Sequence, residues 1–181
     1  MKFPQPLLKA QLVKRYKRFL ADVIWPDGRE ETVHCPNPGA MTGLADTGME
    51  VYVSDSKNPK RKLPCTLEAV ICGRDMVLVN TSRPNSVVEE ALLNGLIPEL
   101  AGFDALQREV PYGEEKSRID FVLTTGPKKC FVEVKGVTLA EGAIGYFPDS
   151  VTSRGAKHLR ELGRLSRAGF PTALVFLVCR P

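Results

Sequence analysis

The chain has 181 residues, 43% of them apolar and 25% charged, with a formal net charge of +4. That length holds one ordinary domain or two small ones, and the composition is that of a soluble globular protein rather than a fibrous or disordered chain. It contains no apolar run of roughly eighteen residues, and Met1-Lys2-Phe3-Pro4 does not open a signal peptide, so the chain is read as cytoplasmic with no membrane partner.

The placement of charge says more than its sum. Residues 1–62 carry 11 Lys and Arg against 7 Asp and Glu, while the rest of the chain balances at 14 of each. An excess confined to the first third implies that this part meets a polyanion. The five cysteines, Cys35, Cys65, Cys72, Cys130 and Cys179, are odd in number and include no C-x-x-C pair, which argues for reduced buried thiols over zinc or disulfides.

From the N-terminus, residues 11–25 form a strand-rich segment in which Tyr16 and Phe19 sit among Lys14, Arg15, Lys17 and Arg18. The cations could grip phosphates while the rings stack on bases, or the rings could fill the core. Asp27-Gly28 signals a hairpin, with the return strand over 31–35. Turn formers fill 36–43, and turns account for Gly39 and Gly43 without a phosphate. Further strands are expected over 49–55, 63–72 and 76–80, with a basic loop, Lys57 to Lys62, between the first two. Lys60, Arg61 and Lys62 either solvate that loop or meet phosphate. Five short strands in this span predict a small closed barrel of the OB type over residues 1–82.

Residues 81–85 mark the boundary to a second domain, 83–181. A helix is expected from Ser86 to Gly95, where Ser86-Val-Val-Glu89 fits a capping box and gives Glu89 a structural task. Glu90 has none, and is either a solvated helix residue or a supplementary metal ligand. A strand over 108–112 follows, and then two strands over 117–123 and 130–135 joined by a polar turn. Residues 136–147 read as a long loop. A second helix runs to about 168, with Ala156, Leu159, Leu162 and Leu165 facing inward and Arg154, Lys157, Arg160, Arg164 and Arg167 as a basic stripe, either solvated or tracking phosphates. His158 falls on a third face and reads as structural. Residues 172–178 form a buried apolar strand.

Within this second half, Asp120, Glu133 and Lys135 interrupt strands that are apolar on both faces. Alternation puts Glu133 and Lys135 on one face, beside Asp120 on the neighbouring strand. Two close carboxylates repel, and a hard cation such as Mg2+ or Mn2+ relieves the repulsion. A nearby Lys can orient a metal-bound water or stabilise phosphate charge. The spacing resembles the PD-(D/E)xK nuclease superfamily, with Ile119 where that name has Pro, and the resemblance implies Asp120, Glu133 and Lys135 as catalytic residues and Glu90 as a further metal ligand.

Several segments together are similar to the sugar fermentation stimulation protein A (SfsA) family: residues 15–22 (RYKRFLAD), 34–43 (HCPNPGAMTG), 117–121 (SRIDF), 132–135 (VEVK), 147–155 (FPDSVTSRG) and 157–162 (KHLREL). The resemblance implies a mixed α/β protein: an N-terminal OB-like barrel, then a restriction-endonuclease-like domain with a mixed central sheet. It implies a bacterial DNA-binding protein of little sequence preference, gripping the phosphate backbone and linked to the use of sugars, notably maltose. Lys14, Arg15, Lys17, Arg18, Lys60, Arg61, Lys62, Arg154 and Lys157 are then the expected DNA contacts. Two departures stand out. Ala156 replaces the Gln that family members often carry before the Lys-His pair. Members also usually continue beyond the last strand, which here ends at Arg180-Pro181; an uncovered flank of the sheet would then make a homodimer an alternative to a monomer.

Overall fold

The computed structural model describes residues 2–115, 117–148 and 151–181. They divide into two compact units.

The first unit is built on β1 (Leu8–Tyr16), β2 (Leu20–Ile24), β3 (Glu30–His34), β4 (Glu50–Asp55), β5 (Cys65–Cys72) and β6 (Asp75–Leu78). β1 pairs antiparallel with both β2 and β4, β2 with β3, and β4 with β5. A parallel pairing of His34 with Thr66 joins β3 to β5 and closes a five-stranded barrel. Its interior is the alternate apolar residues of each strand, among them Leu12, Ala21, Val23, Val33, Val51, Val53 and Leu67. The predicted five-stranded barrel is therefore present, formed by a different set of strands. The 11–25 segment breaks into two strands because Lys17 and Arg18 take φ of 48° and 61° in a tight turn, and β6 is an addition outside the closed ring, paired with β5 and hydrogen-bonded from Leu78 N to the Cys179 carbonyl. At the expected Asp27-Gly28 hairpin, Gly28 has φ 84° and its N–H donates to the Trp25 carbonyl.

The second unit contains most of α1 (Arg83–Leu93), β7 (Ala105–Tyr112), β8 (Ser117–Thr125), most of β9 (Lys128–Val137), α2 (Ser153–Arg167) and all but the end of β12 (Thr172–Val178). Two short strands, β10 (Leu139–Glu141) and β11 (Ile144–Tyr146), form a hairpin that belongs to the first unit. The second unit's sheet is mixed, in the order β12-β9-β8-β7. One cluster joins Val88 and Leu92 of α1 to Phe121, Leu123, Val132 and Val134. Another joins Leu162 of α2 to Tyr112, Ile119 and Val122.

Three expectations about this half are corrected. α1 starts at Arg83, so Ser86 is inside the helix and no capping box forms there. Asn80 begins it instead: its Oδ1 accepts from Ser82 N at 3.0 Å and its carbonyl from Arg83 N at 3.1 Å. Pro84 is tolerated in the first turn because that turn needs no amide donor. The stretch 136–147 is no loop but the end of β9 and the β10–β11 hairpin, turned at Gly142 with φ 58°. The inward face of α2 is His158, Glu161 and Leu162, all buried, whereas Leu159 is 47% exposed.

Candidate metal and nucleic-acid site

The geometry begins where β8 and β9 part. Their paired residues run from Thr125 opposite Lys128 to Phe121 opposite Val132 and stop one pair short of Asp120 and Glu133. In the gap the Val134 N–H donates to Asp120 Oδ2 at 2.7 Å, so a carboxylate takes the place of a ladder carbonyl. Asn85 of α1 donates to the other oxygen, Oδ1, at 2.7 Å. Burial and the neighbouring Glu133 charge push the Asp120 carboxyl above its usual range; the Val134 amide, the Asn85 amide and Lys135 only partly offset them.

Glu133 is 2% exposed. Its Oε1 accepts from Lys135 Nζ and lies beside His158 Nδ1, each at 2.5 Å. His158 Nε2 accepts from Arg154 Nε at 3.5 Å, which assigns the ring proton to Nδ1 and makes it a donor to Glu133. Glu133 Oε2 is buried and has no hydrogen-bond partner among the described residues. A buried carboxylate oxygen without a partner is costly. Asp120, Glu133 and Lys135 are thus brought together as the sequence indicates.

Glu90 is exposed, and five residues on from Asn85 it lies about 140° round the helix from the residue that meets Asp120. Glu89 pairs with Arg108 at 3.3 Å. Sequence reading missed Asn85 and His158. The signal for His158 was its spacing from Glu161 and Leu162, which makes one helical face.

Among the described residues no three His, Cys, Asp or Glu side chains gather as a metal cage. The residues present nevertheless fit a hard divalent cation. Asp120 and Glu133 supply oxygen ligands, Glu133 Oε2 has no hydrogen-bond partner among the described residues, and such ions complete their shells with water and backbone carbonyl.

The expected DNA contacts differ in availability. Lys17 and Arg18 are exposed in the β1–β2 turn, and Lys60, Arg61 and Lys62 in the β4–β5 loop. Lys14 is largely exposed, 3.5 Å from Asp22. Arg15 is held inward, its guanidinium donating to the carbonyls of Asn37, Arg18 and Ala40, and so braces the 36–40 turn. Arg154 is exposed, while Lys157 donates to the Glu115 carbonyl. Farther along the stripe, Arg160 and Arg164 pair with Glu115 at 3.2 and 3.3 Å.

Residues 13–79 match the family model described as the SfsA N-terminal OB domain, and residues 82–181 the one described as the Sugar fermentation stimulation protein RE domain. The chain belongs to the SfsA family. A relative from Teredinibacter turnerae, named Sugar fermentation stimulation protein homolog, is 54% identical over 180 residues, which are 98% of this chain and 77% of the relative. Among solved structures, SfsA of Pyrococcus furiosus in complex with Ca2+ matches with a TM-score of 0.89 at 27% identity, covering 99% of this chain and 75% of its own. Both halves of the fold are therefore those of SfsA proteins. Among the described residues no helix is long and apolar enough to cross a membrane.

Proposed function

We propose that this SfsA chain is a cytoplasmic DNA-binding protein that grips phosphates with little regard to base sequence, serves the regulation of sugar use, maltose included, and holds Mg2+ or Mn2+ on Asp120 and Glu133. The observation that carries the metal site is the buried, unpartnered Glu133 Oε2 beside a carboxyl whose ionised form is disfavoured. The Pyrococcus furiosus SfsA structure is a complex with Ca2+, a cation that takes oxygen ligands, and this supports a hard-cation site in the present chain. The sugar role is supported by the name of the bacterial relative. DNA binding is supported by exposed Lys17, Arg18, Lys60, Arg61 and Lys62 on the unit that carries the charge excess.

A second reading, a metal-dependent DNA nuclease, is favoured by Lys135 on Glu133 Oε1. A cation bound there would polarise a phosphoryl oxygen and lower the pKa of a water. Of the chain's own groups, Asn85 and the Val134 amide orient Asp120, His158 and Lys135 orient Glu133, and the Lys135 ammonium would balance charge on a phosphate.

The test measures binding and cleavage of single- and double-stranded DNA on the same samples, with Mg2+ and with Mn2+, for wild type and Asp120→Ala. Binding that falls steeply with salt is expected, because each phosphate contact releases counterions. Salt-insensitive binding, or none, rejects the first reading. Cleavage present in wild type and lost in the variant establishes the second; cleavage that survives Asp120→Ala removes the site assignment.

A further inference from the structure

The first unit holds a cleft of about 400 Å3 that the metal site does not use. Its volume lies within the roughly 300–1,000 Å3 of small-ligand sites. Its apolar lining is Phe3, Pro4, Pro6 and Pro36, with the Arg83 guanidinium 4.8 Å from the centroid of the Phe3 ring. Its polar lining includes His34, Ser56 and Arg61, of which Ser56 and Arg61 are exposed.

Charge balance within the cleft identifies what it lacks. The two acids that line it are already neutralised, Asp55 by Lys57 at 2.7 Å and Glu68 by Arg83 at 2.5 Å. Among the described residues the Arg61 guanidinium has no carboxylate partner, only a 3.3 Å contact to the Thr66 hydroxyl. Burial and the Arg61 charge hold the His34 imidazole below its usual range, which leaves a neutral ring able to donate and accept hydrogen bonds. An exposed guanidinium without a carboxylate partner, in a cleft also lined by Phe3 and three prolines, suits a flat ring that carries an anion. Lys60 and Lys62 flank Arg61 and are exposed, so cationic surface continues outward from the cleft.

We infer that this cleft takes one unpaired nucleotide, its base against the apolar lining of Phe3 and the prolines and its phosphate on Arg61, with the neighbouring phosphates of a single strand running along Lys60 and Lys62. The inference rests on the DNA-binding reading and adds a strand preference to it. A base in a duplex has both faces stacked and cannot offer one to a narrow cleft, whereas an unpaired base can. The same chemistry is offered by a free nucleoside monophosphate.

The probes are a single-stranded oligothymidylate, a duplex, thymidine monophosphate and inorganic phosphate. Ser56→Trp fills the cleft from an exposed loop without changing charge, and Arg61→Gln removes the anion partner. Ser56→Trp should weaken single-strand binding about tenfold or more and leave duplex binding within about twofold, since stacking of one base is worth roughly that much. Thymidine monophosphate should shift the backbone amide signals of Thr66 and Asn80, inorganic phosphate should do so less, and Arg61→Gln should weaken both the mononucleotide and the strand. If the mononucleotide binds and the strand does not displace it, the occupant is the free nucleotide. Unchanged single-strand binding by both variants overturns the inference, as do mononucleotide shifts that fall outside the cleft. Loss of all DNA binding in wild type, with the mononucleotide shifts intact, would instead reject the DNA-binding reading and leave the cleft assignment standing.

Discussion

His158 Nδ1 lies 2.5 Å from Glu133 Oε1, on the same oxygen that accepts from Lys135. Two donors converge on one carboxylate oxygen and leave the other, buried, without a partner. That asymmetry fixes the carboxylate and presents Oε2 alone. His158→Ala should therefore lower divalent-cation affinity about tenfold or more, the usual effect of removing a group that orients a ligand. Calorimetric titration with Mn2+ measures it, and an unaltered affinity would remove His158 from the site.

Asp120 has a raised folded pKa, against an ordinary value of 3.8. On this group's account, the metal-free protein is at its most stable below 3.8 and loses stability as pH rises through the folded value. Asn85→Ala deletes one of the donors that hold that pKa down, so the loss should become larger by about 2 kcal/mol at neutral pH. Adding Mg2+ should restore part of it at neutral pH and little at about pH 4, where protons compete for the carboxylates. Thermal unfolding of both proteins at the two pH values, with and without Mg2+, reads this. An Asn85→Ala penalty equal at both would show that Asn85 acts through α1 packing rather than through Asp120.

Gly113 is required by its neighbour Glu161. It has φ 69°, and a Cβ added there would overlap Glu161 Oε2, while that carboxylate is buried and tied to Arg164 at 2.5 Å. Gly113→Ala should destabilise by about 1–3 kcal/mol through overpacking and left-handed strain. Because Glu161→Ala would clear the space, the double variant should lose less than the sum of the single ones. Strictly additive urea-unfolding energies would contradict the close approach.

How far the sequence led can be seen at these same residues. Alternation on two apolar strands was enough to put Glu133 and Lys135 together beside Asp120, because strand period is rigid and a one-residue slip would bury the wrong set. The barrel was legible for the same reason. α2 was less so. Its apolar residues suggested Ala156 and Leu159 as the inward face, yet His158 and Glu161 are buried and Leu159 is 47% exposed. Hydrophobic periodicity finds the face that packs on carbon; it cannot find one that packs on a charged site. The start of α1 was misplaced on similar grounds, since Asn80 and Arg83 are held by Glu68 of β5, and Ser82 by Asn80.

Glu68 itself gives a prediction of opposite sign. It is fully buried, and accepts from Arg83 at 2.5 and 2.8 Å, Ser54 at 2.7 Å and Asn80 at 2.8 Å. Burial opposes its ionisation, but those hydrogen bonds outweigh it and hold the carboxyl below its ordinary 4.5. A depressed folded pKa contributes stability above 4.5 that disappears as pH falls through the folded value. Glu68→Gln keeps the shape and removes the charge, leaving Arg83 without its counter-ion, at a cost of about 3 kcal/mol at neutral pH. The gap between wild type and variant should narrow as pH falls below 4.5 toward the folded value, because the wild-type carboxyl then takes up a proton as well. Urea unfolding of both proteins at neutral pH and at about pH 3 makes the comparison; a gap of constant size would mean that Glu68 is held for its shape, and that the first turn of α1 does not depend on its charge.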